Sequence, residues 1–367
     1  MSILSKRIEK LEGSGIRKIF DLAAKSKGEF VNLSIGQPDF KVPANLKKAA
    51  KTAIGNDCNS YSATAGVSKL KQQIALKLQR DNGIKAKEDE IIVTSGVSGA
   101  IFLLLASILD PGDEVILPDP YFVVYEQAIK FLDAKAVLLD TYPDFHIDVE
   151  KLEKMITSKT KALVINTPNN PTGAVLSKRE LQKIAKVARK HGLLVISDEI
   201  YEAFDYEQQF ASMGSVYKNT VTLNGYSKSH AITGWRVGYA HGPKEIIASM
   251  NKLQQYTFVC APSFAQHALA NEPDFNFAPI AKQYKKKRDL VYQGLKDKYE
   301  LNMPEGAFYA FIKIPAGRKD FINELIKHGV LVVPGSVFSQ KDSHFRLCFA
   351  VDDAVLRKGI EIIRSLA

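Results

Sequence analysis

Cysteine is scarce in this chain. Three occur in 367 residues, Cys58, Cys260 and Cys348, odd in number and far apart. No C-x-x-C pair exists, so neither a disulfide framework nor a zinc site is supported. Unpaired thiols suit a reducing compartment, and the cytoplasm is the expected location. Long apolar runs are missing too. The longest, Ala100 to Leu109, is broken by Ser107 and is too short to span a bilayer. The stretch from Met1 to Lys10 carries charges every few positions without an apolar centre, so no secretory signal is expected. There is no internal repeat, no low-complexity tract, no G-x-G-x-x-G and no P-loop. Zinc-finger spacing and aromatic-interleaved basic motifs are also lacking. No metal, membrane or nucleic-acid partner is expected.

What is present fits a soluble globular enzyme: 46% hydrophobic and 25% charged residues. Lys and Arg number 50 against 40 Asp and Glu, a net charge of +10. Such an excess can attract nucleic acid or acidic substrates. Here the basic residues are scattered. The densest run, Lys285-Lys286-Lys287-Arg288, falls in a helix-like stretch and reads as a solvated face. The length permits two or three domains, or one large α/β unit with a satellite.

The middle of the chain alternates short apolar strands with helical patterns. Strands are expected at 90–94, 114–117, 136–139, 161–166, 193–197, 220–223 and 236–239. Helices are expected at 97–108, 149–156 and 178–191. This rhythm predicts an α/β fold with a mostly parallel sheet covered on both faces. The ends differ. The first forty or so residues lack the alternation. A charged helix is expected over 282–299, then strands at 307–312, 330–333 and 345–349. The expected division is an N-terminal segment of a small domain at 1–45, a large domain at 46–281 and a C-terminal small domain at 282–367. In open α/β sheets, ligands bind beyond the carboxyl ends of the strands.

Candidate chemistry falls at those strand ends. In Asn224-Gly225-Tyr226-Ser227-Lys228 and Thr233-Gly234-Trp235-Arg236, a lysine and an arginine stand eight residues apart. A deprotonated lysine forms a Schiff base with an aldehyde, and an arginine fork holds a phosphate. Pyridoxal 5'-phosphate carries both groups. Read alone, the pair is as easily two solvated side chains in a loop. Asp198 ends an apolar strand, Leu193-Leu-Val-Ile-Ser-Asp198, where an unpaired carboxylate is costly. It could hold a protonated pyridine nitrogen, or simply cap a helix. Tyr201 could reach the same ring. Asn170-Pro171-Thr172-Gly173 follows another strand and makes a tight turn from which Asn can donate. Thr94-Ser95-Gly96-Val97-Ser98-Gly99 is a strand, a turn and a helix start, which offers backbone N–H groups to an anion.

Together these motifs resemble the class I/II (fold-type I) pyridoxal phosphate-dependent aminotransferases, similar to the aspartate/aromatic aminotransferases. The resemblance runs through Leu33-Ser-Ile-Gly-Gln-Pro-Asp-Phe40, Tyr61-Ser-Ala-Thr-Ala-Gly66, Asn170-Pro-Thr-Gly173, Asp198-Glu-Ile-Tyr201, Ser227-Lys228 with Gly234-Trp-Arg236, Glu305-Gly-Ala-Phe-Tyr309 and Phe345-Arg346-Leu. It covers nearly the whole chain.

The resemblance implies a role at each position. Lys228 would be the Schiff-base lysine and Asp198 the partner of the pyridine nitrogen. Tyr201 and Asn170 would bond the ring oxygen, and Phe122 would stack on the ring. Arg236 would clasp the phosphate, with Ser227 and the backbone N–H groups near Val97 and Ser98. Tyr61 would reach the neighbouring active site of a homodimer. Arg346 would pair with the substrate α-carboxylate beside a Gly36 backbone contact. The implied reaction moves an amino group from an L-amino acid to a 2-oxo acid such as 2-oxoglutarate, by a ping-pong route. A closing movement of the small domain with Ser14-Gly-Ile-Arg17 is implied as well.

Three departures stand out. Phe122 occupies a place where many relatives have Trp. Gly225 stands where a phosphate-binding hydroxyl is common. Ser98 marks a place near which some aspartate-specific relatives carry a lysine. A C–S β-lyase would keep the same core residues. A non-catalytic regulator would need a DNA-binding segment, for which no length is expected before Leu33. Ile16 and Ile35 would line the side-chain pocket with apolar surface and favour aromatic or aliphatic donors. The basic charge favours acids.

Overall fold

The computed structural model describes residues 3–13, 15, 19, 30–272, 275–318 and 320–367. A short strand, β1 (Val31–Asn32), precedes the large sheet. That sheet contains β2 (Ile91–Ser95), β3 (Glu114–Asp119), β4 (Lys135–Asp140), β5 (Thr160–Asn166), β6 (Leu194–Asp198), β7 (Thr220–Gly225) and β8 (Val237–His241). Their order is β2-β8-β7-β6-β5-β3-β4. Only β8 runs antiparallel to its neighbours; the other pairs are parallel. The central strands carry unbroken apolar runs because both faces are covered. Ala162 to Ile165 and Val195 to Ile196 are all buried. Each fully buried Leu, Ile or Val of this kind contributes about 1.5–3 kcal/mol.

Local signals set the connecting helices. Helix Lys178–His191 starts at Ser177, whose hydroxyl accepts from Glu180 N while the Glu180 carboxylate accepts from Ser177 N. It ends at Gly192, with φ 68°. Helix Gly96–Ile108 differs: no side chain caps its start. Its first N–H groups are left for something else.

The chain then forms a smaller layer. β9 (Tyr309–Lys313), β10 (Val330–Leu331), β11 (Val333–Pro334) and β12 (His344–Cys348) are its strands. β12 pairs antiparallel with β9 and β11, while β10 pairs parallel with β1. The N-terminal part of the chain thus joins the C-terminal part. Phe308, Phe345, Leu347 and Phe349 fill the core beneath.

Two expectations change here. The strand expected over 330–333 is two strands in two sheets, divided at buried Val332. The helix expected over 282–299 spans Ala278–Leu295, with Pro279 in its first turn, where a missing N–H costs nothing. Its basic run is not a solvated face throughout. Lys287 is 9% exposed and Arg288 only 2%. Lys287 bonds Asp39 and the Val351 carbonyl, and Arg288 pairs with Glu207 at 2.6 Å.

Candidate active site

A cavity of about 120 Å³ opens at the carboxyl ends of β5, β6 and β7. Asn166 and Asp198 end β5 and β6, and Lys228 follows β7 on a turn. The chain passes from β3 to β4 on one side and resumes with β5 on the other, so the cavity sits where strand order reverses.

Asp198 is 3% exposed. The Tyr125 hydroxyl donates to its Oδ2 at 2.7 Å, and Ile200 N donates to Oδ1 at 3.2 Å. Burial pushes its carboxyl up to about 6, against the pull of those donors. Its neighbour Glu199 is wholly buried and points elsewhere: its Oε1 accepts from Ser197 Oγ at 2.8 Å, Ser212 Oγ at 2.9 Å and Met213 N at 3.1 Å. Those bonds hold the end of β6 in place.

Lys228 is half-buried and opens onto the cavity. Its Nζ donates to the Gly36 carbonyl at 2.7 Å and lies 5.8 Å from the Tyr201 ring. Burial pulls its amine down to about 8. A fraction is therefore neutral, and nucleophilic, near physiological pH.

Arg236 lies at the exposed end, with φ 54°. Its Nη1 donates to the Thr233 carbonyl at 2.9 Å. The guanidinium lies against Gly96, where any added Cβ would collide with it. Val97 and Ser98 sit beside it at the uncapped helix start. This end combines a guanidinium fork with open backbone N–H groups and suits a phosphate. Gly225 carries no side chain because it pairs with Gly238, whose Cα would lie 2.8 Å from an added Cβ. A hydroxyl at that position has no room.

Arg346 is 1% exposed. Its Nη1 donates to Asn170 Oδ1 at 3.0 Å and its Nη2 to the Ser34 carbonyl at 2.7 Å. Its Nε has no partner among the described residues. The Tyr309 and Phe338 rings flank the guanidinium at 4.5 and 4.7 Å. A buried cation without a carboxylate calls for an anionic ligand.

The cavity thus brings together Lys228, Asp198, Tyr201, Asn170, Arg236, Val97, Ser98, Phe122 and Ser227. Gly36 and Arg346 join through hydrogen bonds to Lys228 and Asn170. Tyr61 is not in it; its side chain is 84% exposed. Ile35 is half-buried, while Ser14, Ile16 and Arg17 lie outside the described residues. Three contributors had no role assigned from sequence, although Tyr309 stands in one of the motifs. Tyr125 bonds Asp198 and stands three positions after Phe122. Asn166 Nδ2 donates to the Asp198 carbonyl and its Oδ1 accepts from Asn170 N. The Tyr309 hydroxyl lies 2.9 Å from that of Tyr201. Tyr309 arrives there because Gly173, at φ 78°, lets the 304–306 loop pack on the Asn170–Gly173 turn.

Comparison with known proteins agrees. The model of the family "Aminotransferase class I and II" matches residues 28–363. The chain is 38% identical to aromatic-amino-acid aminotransferase 2 of Thermococcus litoralis, covering 98% of this chain and 96% of that one. It is 38% identical to the aspartate aminotransferase of Pyrococcus abyssi, with the same coverage. A solved structure of Thermus thermophilus aspartate aminotransferase with maleate superposes at TM-score 0.96, with 36% identity and all of both chains covered. No helix among the described residues is long and apolar enough to cross a membrane. Members of this family depend on pyridoxal phosphate and use amino acids and 2-oxo acids. The chain belongs to the class I and II aminotransferase family and is an enzyme that transfers amino groups.

Proposed function

We propose that the enzyme binds pyridoxal 5'-phosphate in the cavity between Lys228 and Asp198. It transfers the amino group of aspartate, an aromatic amino acid or a similar L-amino acid to a 2-oxo acid such as 2-oxoglutarate, in alternating half-reactions. One observation supports this most: a lysine amine and a carboxylate, both shifted towards neutral pH by burial, face one cavity that has Arg236 in its wall and Arg346 bonded to its Asn170.

The residues fit the cofactor. Asp198 would hold the pyridine nitrogen and keep its proton. Tyr201, and Asn170 with its oxygen engaged by Arg346 and its amide N–H groups left over, would donate to the ring oxygen. Phe122 would cover the ring. Arg236, Ser227 and the N–H groups of Val97 and Ser98 would take the phosphate. When bound, the cofactor supplies an aldehyde for the amino group and an electron sink for the α-carbon.

Lys228 would carry the cofactor between turnovers and, once released, move the α-proton as a positioned base. Arg346 would orient the substrate by its α-carboxylate beside the Gly36 backbone. The phenol cluster of Tyr201 and Tyr309 fills the floor between them and excludes water. The proposed organisation is a large domain at 46–281 with a small domain from 1–45 and 282–367, which closes over substrate. The proposed assembly is a homodimer in which exposed Tyr61 reaches the neighbouring site. Three free thiols fit a cytoplasmic location.

The test is an amino-donor panel against 2-oxoglutarate, read with the visible absorbance of the purified protein. Aspartate, tyrosine or phenylalanine should bleach the cofactor band, and 2-oxoglutarate should restore it, in separate half-reactions. No band and no exchange with any donor would refute the assignment.

A further inference from the structure

Two buried phenols meet beside the cavity. Tyr201 follows β6 of the large sheet, and Tyr309 opens β9 of the smaller layer. Their hydroxyls lie 2.9 Å apart, and neither has another hydrogen-bond partner among the described residues. Tyr201 is 4% exposed and Tyr309 1%. Burial raises both phenols above their ordinary range, so both stay protonated at neutral pH. Each has one hydrogen to give.

A contact between two hydroxyls uses one of those hydrogens, and the order of donation decides where the other is left. Were Tyr201 the donor, its hydrogen would be spent on Tyr309. Yet Tyr201 lines the cavity, and Tyr309 does not. With Tyr309 as donor, the spare hydrogen lies on Tyr201 and can meet an acceptor in the cavity. The surrounding charges favour that order. A cation beside a phenol loosens its proton and makes the O–H a stronger donor. The Arg346 guanidinium stands 4.5 Å from the centre of the Tyr309 ring, closer than Lys228 Nζ to that of Tyr201 at 5.8 Å. The backbone holds the donor in place. Tyr309 pairs with Cys348 across β9 and β12. Gly36 leaves room for its hydroxyl, because an added Cβ there would collide with it.

We propose that Tyr309 is a positioning residue for the cofactor: its hydroxyl donates to that of Tyr201 and so directs the Tyr201 hydrogen into the cavity, at the ring oxygen. This rests on the aminotransferase reading above. Donation from Tyr309 also polarises the Tyr201 hydroxyl and strengthens the bond that Tyr201 gives. A tyrosine that only packs would need its ring here and not its hydroxyl.

The test uses the full chain loaded with pyridoxal 5'-phosphate, without substrate, and follows the visible absorbance of lysine-bound cofactor against pH. A donor at the ring oxygen stabilises the charge left there when the Lys228–cofactor linkage loses its proton, and so makes that proton easier to lose. Tyr309→Phe keeps the ring, edge-on to Tyr201 at 5.6 Å and against Arg346, and removes only the hydroxyl. It should lower the acid dissociation constant of the linkage about 3- to 10-fold. Tyr201→Phe should lower it at least as much. Adding Tyr309→Phe to Tyr201→Phe should then change it less than about 2-fold, because the relay is already cut. A titration that Tyr309→Phe leaves unmoved overturns the proposal, as does a double variant in which the two shifts add. Should Tyr309→Phe not fold, an unmoved titration in Tyr201→Phe overturns it by itself, since Tyr309 would then have nothing to direct. A parent chain without the lysine-bound band overturns the aminotransferase reading and this proposal together. A parent band that titrates beside an unmoved Tyr309→Phe band overturns the proposal alone.

Discussion

Arg288 and Arg346 are both buried, at 2% and 1% exposure, yet they keep different company. Arg288 pairs with Glu207 at 2.6 Å and Asp289 at 2.8 Å, and donates to the Pro304 carbonyl at 3.2 Å. Among the described residues Arg346 has only an amide oxygen, a carbonyl and two aromatic rings, and its Nε is unmet. The lysines repeat the contrast. Lys287 bonds the Asp39 carboxylate, while among the described residues Lys228 bonds only the Gly36 carbonyl. Burying a cation costs several kcal/mol unless an anion accompanies it. One pair of cations carries its anions within the chain and ties helix Ala278–Leu295 to its neighbours. The other pair, Lys228 and Arg346, has no carboxylate within hydrogen-bond reach among the described residues and lies at or beside a cavity. Burial alone does not mark a functional cation; burial without a counter-charge does.

The largest separation is expected between the lysines. Lys228→Ala should lower transamination at least about 10³-fold and remove the absorbance of lysine-bound cofactor. Lys287→Ala should leave turnover per folded molecule nearly intact and lower the melting temperature. Near-parental turnover in Lys228→Ala would end the assignment. The arginines come next. Arg346→Met should raise KM for the amino donor about 100-fold, the loss of one charge-assisted contact, without lowering stability. Arg288→Met should do the reverse, costing about 1–3 kcal/mol in urea unfolding with KM unchanged. Its effect is moderate because the Glu207 side chain is 37% exposed. If both arginines behave alike, the contrast fails.

Much of this was legible in sequence for a physical reason. β5 and β6 are central parallel strands, and their apolar runs, Lys161-Ala-Leu-Val-Ile and Leu193-Leu-Val-Ile, announce them. The polar residues that interrupt those runs, Asn166 and Asp198, fall at the cavity because strand ends do. Lys228 and Arg236 were legible as a pair but ambiguous until the resemblance joined Arg346 to them; the cavity assembles around the first two, and Arg346 reaches it through Asn170. What stayed hidden depends on distant partners. Val330 to Val333 divides because β1 claims one half and β12 the other, which no local pattern encodes. Lys287 looked solvated because Asp39 lies 248 positions away. Tyr125 drew no reading because its carboxylate partner comes 73 positions later.

A smaller effect should appear in the pH dependence of stability of the cofactor-stripped chain. Asp198 is raised to about 6 from 3.8. Its contribution is therefore complete below about pH 4 and lost as pH rises through about 6. Lys228 is lowered to about 8 from 10.5. Its contribution is complete above about pH 10.5 and lost as pH falls through about 8. Near pH 7 both groups are charged at a cost. Asp198→Asn should therefore stabilise the stripped chain more at pH 7 than at pH 4, by about 2 kcal/mol. Equal effects at the two pH values in urea unfolding would show that Asp198 is not held at a raised pKa. A control at Asp297, fully exposed beside Arg364, should show no such gain.

The smallest and sharpest effect concerns Tyr125, which touches neither cation but works through Asp198. Its hydroxyl is the one side-chain donor on that carboxylate among the described residues, at 2.7 Å, and it favours the ionised form. Its ring meets Phe122 edge-on at 5.9 Å, a contact that Phe would keep. Tyr125→Phe should thus preserve packing and withdraw one charge-assisted hydrogen bond. The Asp198 carboxyl should then titrate about 1 unit higher. The acid limb of the rate profile should move upward with it, while KM at the pH optimum stays within about threefold. A purely structural tyrosine would lower stability and leave that limb where it was. An unmoved limb would remove Tyr125 from the site and leave Asp198 dependent on its backbone donor and on the cofactor alone.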